Sequence, residues 1–364
     1  MEHRELLTTF NVTSSDLTGP GSLLRAVDLA NKTPGLDTIQ FEPGLQIDLT
    51  DGPLSGELGV ARLTESVIIE GAGSTVFSTP VWIGPGGEVN NDSTVDNPFT
   101  IEVSPSMRFL QVGTVGEDNL GIEVTVRNLK AEQLNQFARG EVNSSLTIEN
   151  VDITGFRAVT HPEDSFIQGT FKNLTIRDTT ISKSKNFGKL AYAGDSAFIF
   201  VGAIGGSGDL VMENVTMFDN DSAGAVLWTG GSATIVSSRF VESGGIQMFD
   251  TNATIVNSVF DLVSSDENSN SIFAGVGSQV DLIASTVRVE FHGGPPSNSG
   301  VEFNGRPLLA SGGHIALMGS AVYGGQADSD FGELPGIAYY ATEGGTLSAD
   351  DFSWISPVDD QSSE

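Results

Sequence analysis

The sequence predicts an all-β chain wound into a right-handed parallel β-helix, and three observations predict it. An eight-residue pattern returns eight times: VTVRNLKA from Val124, LTIENVDI from Leu146, LTIRDTTI from Leu174, LVMENVTM from Leu210, ATIVSSRF from Ala233, ATIVNSVF from Ala253, VDLIASTV from Val280 and IALMGSAV from Ile315. The starts lie 22, 28, 36, 23, 20, 27 and 35 residues apart, so the period has a floor of 20 and lengthens only by insertion. Every copy has the same internal chemistry, with apolar first and third positions and, at the fifth, a small or amide residue. Self-similarity at such a period marks a repeat architecture whose units bury their apolar faces by stacking.

Each element of a coil follows from the letters. Alternation is of period two, with Ile148, Ile176, Met212, Ile235, Ile255, Leu282 and Leu317 at the third position and Thr125, Thr147, Thr175, Thr234 and Thr254 at the second, which is strand patterning. The fifth position is Asn128, Asn150, Asp178, Asn214, Ser237, Asn257, Ala284 and Gly319, where the strand must turn. Asn tolerates the turn conformation, and stacked amides bond from coil to coil. A second run precedes most copies: FIFV at Phe198, AVLW at Ala225, IQMF at Ile246, SIFA at Ser271, PLLA at Pro307 and IAYY at Ile337, joined to the Thr strand by Gly-rich turns. Two strands and a short third side form one coil, spaced about 4.8 Å from the next. A β-sandwich also has frequent turns, but it gives no reason to keep one eight-residue register along a chain.

Composition bounds the function classes. Gly at 44 residues and charged residues at 18% suit tight turns and inward ladders. Cysteine is absent, which excludes a disulfide frame and thiol catalysis. With 47 acidic against 17 basic residues the net charge is −30, which repels nucleic acid and anionic membrane and suits solubility in salt, as in marine or halophilic bacterial proteins. No stretch approaches the roughly 20 apolar residues of a membrane helix, and no membrane insertion is expected. No cofactor motif stands out, and calcium is the one cofactor that so many carboxylates would suit. The Asn-x-Thr strings at Asn173, Asn214 and Asn252 follow from Asn turns beside Thr strands and are not read as glycosylation sites.

The N-terminal segment differs in kind. Ser22 is placed to N-cap a helix in which Leu23, Leu24, Ala26, Val27 and Leu29 give an apolar face. Such a helix would cover the open end of the first coil. The run FNVTSSDLTGPGSLLRAVDLANKTPGLDTIQFEPG at residues 10–44, with LTESVIIEGAGSTVF at residues 63–77, resembles the opening of bacterial secreted and surface β-helix proteins of the CSLREA-type, polymorphic-outer-membrane-protein-like group. The match covers about 70 residues, and the rest matches only as a pectate-lyase-like solenoid. The resemblance implies an extracellular or cell-surface location. The expected organisation is a cap over residues 1–75, coils over 76–325, and a last partial coil with an acidic tail over 326–364.

Two function classes follow. The first is a non-enzymatic, adhesin-like surface module binding extended glycans or partners. The alternative is a polysaccharide lyase or related carbohydrate-active enzyme on an acidic polysaccharide, which needs a base and a cationic group near a uronate. Lys172, Arg177, Lys183, Lys185 and Lys189 are five of the 17 basic residues within 18 positions. Lys183, Lys185, Lys189 and Tyr192 are therefore the catalytic candidates of the alternative. Arg157, His161, His292 and Arg306 are the candidate substrate-binding residues, the last two on a Gly-Pro-rich excursion at residues 289–307. Arg127, Glu149, Arg177 and Glu213 share the fourth position of their copies and read as a charge ladder, while His314 and Trp228 read as packed or bonded within strands. Phe352, Trp354 and Ile355 near the C-terminus predict self-association at that end.

Overall fold

The computed structural model describes residues 7–50, 61–78, 82–83, 89–90, 101–102, 108–119, 121–134, 136–155, 157–158, 166–183, 185–186, 202–264, 271–292, 307–323, 327–328, 339–342 and 344–355. The chain divides into two compact units, residues 1–175 with 184–199 and residues 176–183 with 200–364. Each is a stack of parallel coils.

In the first unit the strand Asp37–Phe41 lies between Thr9–Val12 and Val67–Glu70, and the stack continues through Glu123–Glu132 into Gln136–Thr154, every pairing parallel. Val67 stands opposite Val124, and Val124 opposite Leu146, so the register of the repeat in sequence is the register in space. A second ladder carries Gln46–Asp48, Thr75–Phe77 and the end of Glu123–Glu132. A third carries Ala61–Leu63, Arg108–Val112 and the start of Gln136–Thr154. Between the second and third ladders in sequence, Trp82–Ile83 pairs antiparallel with Val89–Asn90 and Ile101–Glu102, an insertion that the repeat pattern did not foretell.

The second unit repeats the plan. Leu210, Ala233, Ala253, Val280, Ile315 and Leu347 stand in one register, which makes TLSA at residues 346–349 a further copy of the pattern. The strings AVLW, IQMF, SIFA and PLLA and the Tyr339–Tyr340 end of IAYY do share a ladder. Its register sets Val226 opposite Ile246 and Ile246 opposite Ile272, one residue away from aligning their first letters. An irregularity between Gly224 and Val226 absorbs the first of these offsets. The string FIFV lies outside the described residues, and the strand opposite Val226 is instead Gly202–Glu213 through Ile204.

Inward positions are filled by Val, Ile, Leu and Phe that are buried in both units. Phe109, Phe137 and Phe166 form a tilted column with centroids 5.5 and 5.7 Å apart, and Phe240 stacks on Phe260 at 4.6 Å and 5°. Turning the strand at the fifth position requires the left-handed region, and φ is 56° at Asn128, 52° at Asn150, 47° at Asp178, 54° at Asn214, 50° at Ser237, 49° at Asn257, 48° at Ala284 and 58° at Gly319. The predicted amide bonding between coils is present: Asn150 Nδ2 donates to Asn128 Oδ1 at 2.6 Å, and Asn128 Nδ2 to Glu70 Oε1 at 2.8 Å. In the second unit Asn214 Nδ2 donates to Asp178 Oδ1 at 2.6 Å and Asn257 Nδ2 to Ser237 Oγ at 3.2 Å.

Directly after that turn the second unit holds a serine column, buried at Ser238, Ser258, Ser285 and Ser320. The backbone N–H of Val215, Ser238, Ser258, Ser285 and Ser320 donates to the Oγ of Ser238, Ser258, Ser285, Ser320 and Ser353 respectively, at 3.1–3.2 Å. The corner leaves these N–H groups without a strand carbonyl, so a hydroxyl from the next coil is what satisfies them. Ser258→Ala is expected to strand the Ser238 N–H and lower the unfolding free energy by about 1–3 kcal/mol. Chemical denaturation would measure it, and a change below a few tenths would mean water replaces the hydroxyl.

The helix Leu23–Ala30 forms where its cap predicts, with Ser22 Oγ accepting from the Arg25 N–H at 3.3 Å. Leu23, Ala26, Val27 and Ala30 are buried, against the strands Thr9–Val12, Asp37–Phe41 and Ala61–Leu63. Asn31 fixes the helix end to the third ladder, its Nδ2 donating to Arg62 O at 2.7 Å and its Oδ1 accepting from the Thr64 N–H at 2.9 Å.

Candidate functional surface

The predicted site residues separate into two groups. Arg157 and Lys185 stand opposite one another in a short parallel pairing of Arg157–Ala158 with Lys185–Asn186 in the first unit. Lys183 belongs to the second unit, where it is exposed in a left-handed turn with φ 57° and its N–H donates to Phe218 O at 3.3 Å. His292 ends the strand Thr286–His292 with its backbone opposite Asp328. His161, Lys189, Tyr192 and Arg306 lie outside the described residues.

The structural readings of other polar residues hold. Arg177 Nε lies 3.3 Å from Glu213 Oε2, and Arg127 Nε lies 2.7 Å from Glu70 Oε2 and in register with Glu149. His314 is bonded at both ring nitrogens, Nδ1 to Thr346 Oγ1 at 2.7 Å and Nε2 to Ser348 Oγ at 3.1 Å. Trp228 is buried and donates from Nε1 to Gly208 O at 2.9 Å.

Burial of Glu70 opposes ionisation, but the bonds from Asn128, Arg127 and the Ala72 N–H outweigh it and hold the carboxyl below its ordinary value of 4.5. A depressed folded-state pKa contributes stability that is present above the unfolded value and lost as pH falls through the folded one. Glu70→Gln should therefore narrow its stability gap to the parent between neutral pH and about pH 3, from a gap of about 0–1 kcal/mol. Melting midpoints across that range check it, and a gap that widens on acidification would contradict the ladder's role.

A polar strip on the third ladder of the first unit, with Gln111 0% and Gln136 5% exposed at its centre, was not foreseen. Arg62, Gln111 and Arg139 share one register across three strands, and Arg108 stands opposite Gln136 in the next column. Arg108 donates from Nη1 to Gln111 Oε1 at 2.7 Å and from Nε to Gln136 Oε1, and Gln136 Nε2 donates to Gln168 Oε1 at 3.2 Å. Gln111 Nε2 donates to Glu141 Oε1 at 2.6 Å, and the same oxygen lies 3.4 Å from Arg139 Nε. Glu141 is 10% exposed at its side chain while Arg139 is 42% exposed, so the strip runs from a buried carboxylate to solvent. The Arg62 Nε is buried and has no hydrogen-bond partner.

The strip offers donors and acceptors at a fixed coil spacing but, among the described residues, no His, Lys or Tyr. Nor does any group of three or more His, Asp or Glu among the described residues converge as a metal site. No described helix is long and apolar enough to cross a membrane.

No protein-family model matches the chain, and no curated protein does, so the likeness of the N-terminal segment to CSLREA-type proteins stays with the residues that carry it. Among solved structures, the A-module of the mannuronan C-5 epimerase AlgE4 from Azotobacter vinelandii is 13% identical with a TM-score of 0.39, covering 95% of this chain and 97% of its own. The periplasmic alginate epimerase AlgG is 11% identical with a TM-score of 0.36, covering 88% and 77%. The tailspike of the E. coli bacteriophage HK620 is 12% identical with a TM-score of 0.31, covering 92% and 61%. At these levels the assignment of stacked parallel coils rests on the strand registers of the chain itself.

Proposed function

We propose that this chain is a secreted or cell-surface β-helix module that binds extended glycans without turning them over. The observation that carries the reading is the polar row on the third ladder, where Arg62, Arg108, Arg139 and Gln168 are partly exposed beside the buried Gln111 and Gln136 and recur coil by coil along the stack. A repeating row of amides and guanidinium groups matches a repeating polyol, each unit of which presents hydroxyls at a similar step. Proton abstraction would need a base poised over the strip, and its one carboxylate, Glu141, is already bonded by Gln111 and lies beside Arg139.

The test is a panel of acidic and neutral polysaccharides, with and without calcium, scored for retention of the whole chain in affinity electrophoresis and for new unsaturated uronate ends. Retention on at least one polymer without new ends is the expected result. Unsaturated ends that disappear in a Lys183→Ala, Lys185→Ala, Lys189→Ala variant would replace the reading by the lyase one. Silence across the panel would overturn it.

Two further parts of the reading concern the ends. The helix Leu23–Ala30 serves as the end cap of the first unit, in keeping with its buried apolar face. The last described coil, with Phe352 86% and Trp354 46% exposed, is where a second copy would associate. A mass that stays monomeric in light scattering at high concentration would remove that association.

A further inference from the structure

We propose that Tyr323 and Trp354 form a stacking platform on the side of the second unit, which holds one pyranose ring of the glycan by its C–H face. This rests on the glycan reading above and adds a separate place of contact and the class of sugar it takes.

The ladder that carries Val259–Ser264, Thr286–His292, Ala321–Tyr323 and Trp354–Ile355 turns Phe260, Val287 and Val322 inward, where all three are wholly buried. Residues on either side of each therefore face out. One outward row ends in Thr286, Ala321 and Trp354, and the other in Asp261, Arg288 and Tyr323. Trp354 and Tyr323 are diagonal neighbours across one coil step, close enough for aromatic side chains to meet, and the small Ala321 opposite Trp354 leaves the indole room to lean towards the phenol. Their ring centroids lie 4.8 Å apart with the planes at 48°, and the two residues are 42% and 46% exposed. Leaving two large rings in water forgoes their burial, a loss recovered when a second apolar surface arrives.

The size of the patch selects the occupant. A fully buried aromatic side chain removes about 150–250 Å² from water, so two rings a little over half covered leave about 200 Å² bare. A stable protein interface takes about 800 Å² from each partner, roughly four times as much. A single sugar ring is the better match. A pyranose with equatorial hydroxyls carries axial C–H groups on its faces and hydroxyls around its rim, so it needs an apolar floor with hydrogen-bonding groups beside it. Arg288 stands opposite Tyr323 in register, and its side chain is 54% exposed. Its Nη1 lies 3.7 Å from Asp261 Oδ1, on a side chain that is 37% exposed, so a planar donor and a carboxylate acceptor stand together at the rim. The class is therefore the all-equatorial, gluco-configured pyranose, whether its exocyclic carbon is an alcohol or a carboxylate.

The test titrates the full chain by calorimetry with soluble cello-oligosaccharides and with oligomers of β-linked glucuronate. Association of a second copy at the last coil would compete for Trp354, so the titration is run where light scattering shows a monomer. Each sugar is repeated after periodate opening of its rings and reduction to alcohols, which keeps hydroxyls and removes the flat face. The variants are Trp354→Ala, Trp354→Phe, Tyr323→Ala and Tyr323→Phe, and melting midpoints report folding. The expected result is a loss of about tenfold or more in each Ala variant and with opened rings, while both Phe variants stay within about threefold of the parent. Tryptophan fluorescence should change on binding in the parent and no longer do so in Trp354→Phe. Which of the two sugars binds decides between alcohol and carboxylate. Unchanged binding in both folded Ala variants, or equal binding of closed and opened rings, would overturn the inference while leaving glycan binding intact. Binding of neither closed-ring sugar would also overturn it, and the glycan reading would then stand or fall by its own polysaccharide panel. Should Trp354→Ala not fold, Tyr323→Ala decides alone.

Discussion

Phe260→Ala should lower the unfolding free energy by about 3–5 kcal/mol. Its ring lies flat on Phe240 with centroids 4.6 Å apart, and both side chains are wholly buried between the strands Arg239–Phe249 and Val259–Ser264. In a globular core, neighbours partly collapse into the space left by a truncated side chain. Here Phe240 and the next coil are held at a fixed step by backbone ladders, so collapse is restricted and the upper end of the range is the expectation. Because each coil touches mainly its neighbours, the damage should concentrate in amide exchange of residues 239–262 and their adjoining coils. A loss under about 1 kcal/mol, or one spread evenly over both units, would refute the picture of a rigid stack.

The second large effect comes from two adjacent glycines in the turn before Ser232. Gly230 and Gly231 have φ of 73° and 67°, so both sit where a side chain is strained. They differ in their surroundings: a Cβ on Gly230 would meet nothing within 4 Å, whereas one on Gly231 would come to 2.1 Å from the carbonyl oxygen of Gly208 in the preceding coil. Gly230→Ala should therefore cost about 1–2 kcal/mol, the left-handed penalty alone. Gly231→Ala adds a backbone clash of the overpacking kind and should cost about 2–5 kcal/mol in all. Equal losses in the two variants, read from urea midpoints, would show that the coils can part at this corner.

Much of the architecture could be read in the letters because parallel stacking turns sequence periodicity directly into spatial register. Val124 opposite Leu146 and Ala233 opposite Ala253 need no knowledge of loops between them. The turn residues were equally open to reading, since Asn128, Asn150 and Asn214 are among the few side chains that accept the left-handed region. Serine at the sixth position was written in four successive copies, but nothing in a hydroxyl announces that it will receive a backbone N–H from the coil before.

The polar strip stayed hidden for a different reason. Arg62, Arg108 and Arg139 are 46 and 31 residues apart, and the third ladder of the first unit has no recurring string to align them. Its alternation is also broken, because Phe109 with Leu110 and Phe137 with Ala138 are buried as adjacent pairs. A density of basic residues along the chain instead drew the eye to residues 172–189. In a coiled stack, neighbours in space come from different coils, and among the described residues Arg157 opposite Lys185 is the one pairing of predicted residues that obeys this rule.

The serine column has a consequence for how such a chain grows. Each corner hands its unpaired N–H to a hydroxyl of the following coil and receives nothing in return that depends on where in the series it sits. The link is therefore indifferent to position, like a bead with one hook and one eye. The shortest step, from Ala233 to Ala253, is 20 residues, and an in-frame tandem copy of that length would bring its own hook and eye. Lengthening by whole coils then needs no compensating change elsewhere, which makes the length of this stack an evolutionary variable largely separate from the chemistry displayed on its faces.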